Sequence, residues 1–277
     1  MNKDSRDRIY IATFSRGAEE AAAKYGFGLE LNDLCISSNL EKEKREGVVS
    51  RMKNELERAG ALGRRNFMHG PFTELTPAAI DPKAIDLMLM RYRDTLDICS
   101  EMGIQDIVLH DGYIPLIYQK DWHKKRSVSF WKEFQSEIPD GTTVYIENVF
   151  DDEPYLLMEI LDEVGSDKYK ICLDVGHANA VGTESALMSA GVTLNEKSLV
   201  SKWIEAMGPM IGHFHLHNND GRSDMHDDIN KGTLDYPEIL AAIERYCARD
   251  VTMTIESREA EPSAELLFNH FLLPKNG

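Results

Sequence analysis

The chain alternates along its length between short apolar segments and segments with amphipathic spacing. The apolar segments are rich in β-branched and aromatic residues and predict eight β-strands. They are RIYIATF (8–14), FGLELN (27–32), RRNFMHG (64–70), DIVLHDG (106–112), TVYIENV (143–149), KICLDVG (170–176), IGHFHLH (211–217) and VTMTIES (251–257). The segments between them predict helices. These helices cover residues 18–25, 41–59, 77–102, 128–134, 153–165, 195–207, 236–248 and 261–271.

The alternation of strands and helices predicts how the sheet is built. A strand, a helix and a second strand form a parallel pair with a right-handed crossover. Eight such units predict an α/β protein with a closed (β/α)₈ TIM barrel, and the 277 residues are close to the length of about 250 that is typical of this fold. No Pro-, Gly- or Ser-rich linker interrupts the pattern, so we expect residues 1–277 to form a single domain.

The composition bears on possible partners. The chain has 31 Lys and Arg against 47 Asp and Glu, a formal net charge of −16. This charge disfavours nucleic acid as a partner, although a local basic patch or bound divalent metals can reverse the field inside a cleft. The chain contains no signal-like N-terminus and no run of about 18 apolar residues. We therefore expect a cytoplasmic protein that binds no membrane, and the oligomeric state stays open, including a homo-oligomer.

Several reactive residue types are interpreted without a chemical role. The four cysteines are far apart and form no C-x-x-C pair, so we expect small buried hydrophobic residues rather than disulfides or zinc ligands. They are Cys35, Cys99, Cys172 and Cys247. His123 and His270 are predicted to lie at the surface, and the basic segment 120–127 is interpreted as the solvated start of a helix.

The predicted strand ends carry the candidate chemistry, because barrels of this kind place their active sites at the carboxyl ends of the strands. Six consecutive strands each end in a potential metal ligand or acid–base group, and this coincidence predicts a metal-dependent site. The residues are His69, His110, Glu147, Asp174 with His177 three positions on, His215 or His217, and Glu256.

Strand seven contains three histidines on one face. His213, His215 and His217 alternate with apolar residues, so all three should point into the barrel. His213 and His217 are separated by roughly 13 Å and cannot bind one ion. We interpret His213 as a core residue, and His217 as a residue that contacts substrate or supports the ligands. Three further candidates for this end of the barrel are Glu30, which could bond a substrate hydroxyl, and Asp224 and His226 in the following polar loop.

The segments around these residues resemble the xylose-isomerase-like barrels over nearly the whole chain. This family includes sugar-phosphate isomerases and epimerases and, as a sister branch, the endonuclease IV group of DNA-repair enzymes. The segments that carry the resemblance are FMHGPF, IVLHDG, VYIENV, ICLDVGHANAVG, HFHLHNNDGRSDMH followed by GTLDY, and TIES.

The resemblance implies two overlapping ligand sets. The sugar-enzyme pattern implies one catalytic divalent ion, with His177 near the substrate, and its ligands are Glu147, Asp174, His215 and Glu256. The endonuclease pattern implies three zinc ions, and its additional ligands are His69, His110, His177, Asp224 and His226. All nine positions carry suitable residues, so the ligands alone do not separate the branches.

The loops favour the sugar branch. HGPF, DVGHANAVG and the Asn-Asp-Gly before Asp224 resemble that branch, whereas Phe72 and Leu75 are the only candidates for the wedges that the repair enzymes insert into a duplex. Two departures leave the substrate open. Residues 230–232 are Asn-Lys-Gly where the branch usually has Gly-Glu-Gly, and Arg222 is the only candidate for its substrate-binding arginine.

These observations predict a metal-dependent isomerase or epimerase of a sugar or sugar phosphate. Three carboxylates and one imidazole suit Mn²⁺, Mg²⁺ or Co²⁺, and Zn²⁺ is included by the sister branch, with one to three ions bound. Glu147 and Glu256 would lie on opposite sides of the substrate, where one removes a proton and the other returns it. The alternatives are a zinc-dependent phosphodiesterase acting at abasic sites in DNA, and a non-catalytic barrel that binds a sugar or a metal.

Overall fold

A computed structural model describes residues 3–115, 117–181 and 199–272. Its strands pair in parallel and in chain order, and the pairing of β1 with β8 closes the sheet. The predicted (β/α)₈ barrel is therefore confirmed. The strands are β1 (Ile9–Ala12), β2 (Gly28–Leu31), β3 (Phe67–His69), β4 (Asp106–His110), β5 (Thr143–Glu147), β6 (Tyr169–Asp174), β7 (Ile211–Leu216) and β8 (Thr252–Ile255).

The helices pack around the outside of the barrel, and their apolar faces join the outward residues of the strands in one core. They are α1 (Ala18–Tyr25), α2 (Lys42–Arg58), α3 (Pro82–Met102), α4 (Lys120–Phe134), α5 (Tyr155–Val164), α6 (described over residues 175–181), α7 (Leu199–Met207), α8 (Tyr236–Tyr246) and α9 (Ala260–Leu272). Residues 195–198 of the helix predicted over 195–207 lie outside the described residues. None of the described helices is long and apolar enough to cross a membrane.

Two helices begin five or more residues away from the predicted position. The helix expected from residue 77 begins at Pro82, because the Asp81 carboxylate accepts a hydrogen bond from the backbone N–H of Lys83 (2.9 Å) and a proline at the first helical position needs no such bond. The helix expected from residue 128 begins at Lys120, so the basic segment forms its first turns.

Helix α6 was not predicted at all. The segment after β6 was taken for a loop, but residues 175–181 are helical and begin directly after Asp174. Oδ1 of Asp174 accepts a hydrogen bond from the backbone N–H of His177 (2.6 Å). This is the bond that an N-cap residue makes to the third residue of a helix. The Asp-x-x-His spacing was interpreted only as metal chemistry, although it also carries this capping signal.

The lower half of the barrel is filled by aromatic rings, which form a floor under the site. Phe67 stacks on His213 with ring centroids 4.1 Å apart, and Tyr10 and Tyr145 pack against Phe67. All four residues are buried. Nδ1 of His213 also lies 2.7 Å from the hydroxyl of Thr252, which agrees with its interpretation as a core histidine. Because this floor excludes solvent, the polar strand ends are open only towards the carboxyl end.

The prediction that His123 lies at the surface is wrong. His123 is fully buried on α4, where its Nε2 lies 2.6 Å from Oδ2 of Asp111. It shares the inward face of the helix with Ser127 and Trp131, at the spacing of one and two helical turns. The charged neighbours of His123 concealed this spacing in the sequence.

Candidate metal centre

The predicted strand-end residues converge on one cavity at the carboxyl end of the barrel. The cavity has a volume of about 740 Å³. Asp174 and His215 lie beneath it and are 0% exposed. The other seven of the nine candidate ligands line it directly, and they are His69, His110, Glu147, His177, Asp224, His226 and Glu256.

The first ligand set comprises Glu147, Asp174, His215 and Glu256, from strands β5 to β8. Nδ1 of His215 lies 3.2 Å from a carboxylate oxygen of Glu147 and 3.4 Å from one of Glu256. The same nitrogen lies 3.9 Å from Oδ2 of Asp174. The ligand atoms of Glu147, Asp174 and His215 are all within 4.8 Å of one another. The three carboxylates of this set therefore lie within 4 Å of Nδ1 of His215.

The first set fits a divalent cation. Oδ2 of Asp174 and Nδ1 of His215 are buried and have no hydrogen-bond partner among the described residues. A buried polar atom without a partner costs roughly 1–3 kcal/mol, and an ion bound between these two atoms would satisfy both. Three carboxylates and one imidazole match the preferences of Mn²⁺, Mg²⁺, Co²⁺ and Zn²⁺.

A second ligand set comprises His69, His110 and Glu147. Oε2 of Glu147 lies 3.2 Å from Nε2 of His69 and 3.1 Å from Nε2 of His110. The two imidazole nitrogens are 3.3 Å apart. Oε1 of Glu147 thus faces His215 of the first set, and Oε2 faces the two imidazole rings of the second. Glu147 is shared between the two sets.

A third ligand set comprises His177, His217, Asp224 and His226, whose ligand atoms lie within 4.8 Å of one another. Oδ2 of Asp224 lies 3.4 Å from Nε2 of His177 and 3.2 Å from Nε2 of His226. Nε2 of His217 lies 3.1 Å from Oδ1 of Asp174 and its ring stacks on that of His226. His217 is 0% exposed and does not line the cavity. In this structure it therefore supports the candidate ligands and cannot contact a substrate.

The backbone at Gly176 and at His226 accommodates the side chains of the third set. A Cβ atom on Gly176 would lie 2.0 Å from Cε1 of His217, so only glycine leaves room for that ring. His226 has a positive φ of 50°, which is uncommon for a residue with a side chain. Strained backbone of this kind concentrates at functional sites, because the surrounding structure must hold it in place.

The carboxylates of the first set have pKa values shifted in opposite directions. Burial opposes ionisation of Glu147, but the charges and hydrogen bonds of His215 and His110 outweigh it and hold the pKa of Glu147 well below its usual value. Burial raises the pKa of Glu256, and His215 and His226 offset this only in part. One carboxyl group is therefore held ionised and the other is held closer to its protonated form.

Metal binding to the third set should release protons. Burial lowers the pKa of His226, but its hydrogen bond to Asp224 and the charge of Glu256 outweigh this and raise the pKa to about 9. The metal-free imidazole is thus protonated at pH 7, and a metal must displace that proton. We expect the affinity for Zn²⁺ to rise about tenfold per pH unit for each proton released, up to about pH 9. Titration calorimetry in two buffers of different ionisation enthalpy counts the protons, and His226→Gln should release one fewer than the unmodified protein.

Glu30 lies below the first set and does not line the cavity. The predicted contact of Glu30 with a substrate hydroxyl is not available in this geometry, because its side chain is 0% exposed. Oε1 of Glu30 lies 3.1 Å from Nε2 of His215, and Oε2 accepts a hydrogen bond from Thr254 (2.5 Å). The contact with His215 lacks the alignment of a hydrogen bond. Its position is that of the carboxylates that orient metal-binding histidines from the far side of the ring.

Replacing Glu30 with Gln should weaken metal binding by roughly 10- to 100-fold, because carboxylates behind a ligand histidine contribute about this much. Thr254→Val is the matched variant, since it removes the bond to the other carboxylate oxygen and should have a smaller effect. Affinity is measured by competition with a chelator, and circular dichroism verifies the fold. A Glu30→Gln protein that folds and binds Mn²⁺ or Zn²⁺ within twofold of the unmodified affinity contradicts this role.

Several other residues differ from their sequence interpretation. Arg222 is exposed, and it is not among the described residues that line the cavity. Cys99 and Cys172 are buried as expected, whereas Cys35 and Cys247 are only half-buried, and Cys35 lines the cavity. Phe14 and Phe150 also line it, although neither was considered as a site residue. These loop positions carry no periodic or motif signal that would have identified them.

Comparison with known proteins supports the same fold. A family model described as a xylose isomerase-like TIM barrel matches residues 67–270. An uncharacterized protein of Methanocaldococcus jannaschii is 27% identical over 225 residues, which cover 72% of this chain and 68% of that protein. A probable endonuclease 4 of Aquifex aeolicus is 24% identical over 239 residues, which cover 81% and 79%. A solved D-tagatose 3-epimerase-like protein superposes with a TM-score of 0.70 at 21% identity, covering 96% of this chain and 97% of that one.

Proposed function

Since this chain belongs to the xylose isomerase-like TIM barrel family, we propose that it is a divalent-metal-dependent isomerase or epimerase of sugars. One observation carries the proposal. Glu147 and Glu256 line the same cavity from β5 and from the residue after β8, and their carboxylates lie 3.2 and 3.4 Å from Nδ1 of His215. Two carboxyl groups from well-separated strands thus flank the position where a substrate carbonyl would be held.

The two carboxyl groups supply the proton transfer. An ion bound to the first ligand set supplies Lewis-acid polarisation of the substrate carbonyl. The Glu147 carboxylate lines the cavity and is placed to remove the proton from the neighbouring carbon. Glu256 faces the same cavity from the residue after β8 and is placed to return a proton. Return to the opposite face of the same carbon gives epimerisation, and return to the adjacent carbon gives isomerisation.

His177 serves as a substrate-positioning residue in this proposal. Its Nδ1 lies 3.0 Å from the backbone oxygen of Asn148, so this nitrogen is the donor to that carbonyl. The other ring nitrogen, Nε2, faces the cavity beside Asp224. A substrate oxygen that binds this nitrogen would compete for it with Asp224.

The proposal is tested by product analysis. The protein loaded with Mn²⁺ or with Zn²⁺ is incubated with a panel of free, phosphorylated and O-alkylated ketoses, and products are separated by chromatography. We expect a metal-dependent conversion of at least one ketose into its epimer or into the matching aldose. Conversion should cease after chelation and return when metal is restored. Absence of any conversion by the metal-loaded protein counts against the proposal.

A zinc-dependent phosphodiesterase acting at abasic sites is the second candidate. The histidine-rich second and third ligand sets favour it, because imidazole suits Zn²⁺ and several ions can activate a water and stabilise a leaving oxygen. Two observations oppose it. Leu75 is buried, and Phe72 lies flat on the ring of His110 with centroids 4.2 Å apart, so neither projects as a wedge into a duplex. Nicking of an abasic duplex that is lost in His69→Ala would establish this candidate instead.

A further inference from the structure

Four large apolar side chains surround the mouth of the cavity. We call them the apolar rim, and they are Phe14, Ile36, Phe72 and Phe150. Each is between 38% and 58% exposed. Single exposed apolar residues need no explanation, but several around one concave site mark a surface that binds apolar matter. The apolar rim therefore indicates that the bound molecule has an apolar part, which the sets of metal ligands do not indicate.

Two residues of the apolar rim are in direct ring contact with candidate metal ligands. Phe72 stacks on His110 with the planes inclined by 10°, and Phe14 meets His226 edge-on with centroids 5.4 Å apart. Among the described rings, Phe150 stacks on none of these histidines, so it is free to contact a ligand. The cavity thus has polar metal ligands at its base and apolar side chains at its mouth. A molecule that fills it should therefore have one polar end and one apolar end.

The described wall of the cavity contains no cationic side chain to hold a phosphate group. Among the described residues that line it, none is Lys or Arg. Four carboxylates line it instead, and they are Glu74, Glu147, Asp224 and Glu256. A phosphoryl group on the substrate would find no cationic side chain in this wall with which to pair. The exposed position of Arg222 on its loop adds no cation to the wall.

We infer that the substrate is an unphosphorylated keto sugar that carries an apolar substituent. This inference rests on the proposed function and specifies its substrate class. The carbonyl end of the sugar lies at the base of the cavity beside the metal ligands, and the substituent packs against Ile36 and Phe150 at the rim. The volume of about 740 Å³ is in the range of roughly 300–1,000 Å³ that holds drug-sized ligands, which is ample for a sugar with such a group.

Binding measurements test the inference without requiring turnover. Titration calorimetry of the metal-loaded protein compares D-fructose, D-fructose 6-phosphate, 1-O-benzyl-D-fructose and 6-O-benzyl-D-fructose. Because burial of an aromatic ring against apolar side chains is strongly favourable, at least one benzyl ether should bind about tenfold more tightly than the free sugar. The phosphate ester should bind no more tightly than the free sugar.

Variants of the rim assign the preference to these side chains. In Ile36→Ala and Phe150→Ala the benzyl preference should fall towards that of the free sugar, while the affinity for D-fructose stays within about twofold. Ile80→Ala is the matched control, since Ile80 is 76% exposed and does not line the cavity. Both rim residues are exposed, so the variants should fold, and their metal content verifies the centre.

Different outcomes overturn the inference and the proposed function. Tightest binding of the phosphate ester, equal binding of benzylated and free sugars, or no binding of any of the four overturns the inference. Conversion of free ketoses without a benzyl preference leaves the proposed function standing and rejects only the substrate class. A benzyl preference that disappears in Phe150→Ala, with no conversion of any sugar, supports the binding surface and rejects the isomerase.

Discussion

Replacing Glu256 with Gln should lower the turnover number by about two to four orders of magnitude at saturating metal. General acid–base catalysis by a positioned side chain contributes about this much. Gln keeps the shape of the side chain and can still offer one oxygen to a cation, but it cannot hold or release the proton. The effect should therefore appear in kcat, with a smaller change in KM.

The Glu256→Gln experiment needs control of metal content. Turnover is measured over a range of Mn²⁺ or Co²⁺ concentrations, because weaker metal binding would mimic the loss of a proton-transfer group. Glu163→Gln is the matched control, since Glu163 lies exposed on α5 away from the cavity. A Glu256→Gln variant with near-normal turnover at saturating metal removes this residue from the chemistry.

Metal loading should raise the melting temperature by about 8–15 °C. An ion at a free concentration of about 1,000 times its Kd stabilises the folded state by about 4 kcal/mol, and each kcal/mol shifts the melting temperature of a chain of this size by about 2–4 °C. His215 is the centre of the first set, so His215→Ala should lose at least half of the metal-induced increase. Calorimetric scans with and without metal measure both values.

The control for this prediction is another histidine-to-alanine change. His270 lies on α9 beside Glu244, far from the ligand sets, and His270→Ala should retain the full increase. Elemental analysis after desalting counts the ions that remain bound. An unmodified protein that retains no divalent ion and shows the same melting temperature with and without metal contradicts the existence of the centre.

The sequence predicted the barrel and the convergence of its strand ends for one physical reason. Parallel strands with helical crossovers place all their carboxyl ends at one mouth, so residues such as His69 and Glu256, almost 190 positions apart along the chain, must meet once the strands are recognised. The helix after β6 was missed because Asp174 has two functions. It caps α6 through the backbone N–H of His177, and it faces His215 as a candidate ligand.

The depth of a residue within the barrel could not be predicted from the sequence. Alternation gives the face of a strand, and Glu30 does point inward as expected. Its depth follows from the register between strands, in which Glu30 pairs with Phe67, two residues before His69. Register depends on how the closed barrel staggers its strands, and no local pattern records it.

The apolar rim was equally inaccessible to sequence analysis. Phe14, Ile36 and Phe150 come from the loops after β1, β2 and β5, and they meet only because these loops fold over one mouth. The conformations of such loops are set by packing over long sequence distances rather than by local preference. The candidate metal ligands were therefore predictable from the strand ends, whereas the residues of the apolar rim were not.

Proton exchange with solvent tests the central proposal most directly. The metal-loaded protein is incubated with its best sugar in D₂O, and mass spectrometry with NMR locates any deuterium. The proposal predicts metal-dependent incorporation at the carbon beside the carbonyl, lost on chelation and reduced at least a hundredfold in Glu147→Gln at saturating metal, because that variant lacks the base. A sugar recovered without deuterium, together with metal-dependent nicking of an abasic duplex by the same preparation, would contradict the proposal and identify phosphodiester hydrolysis as the reaction.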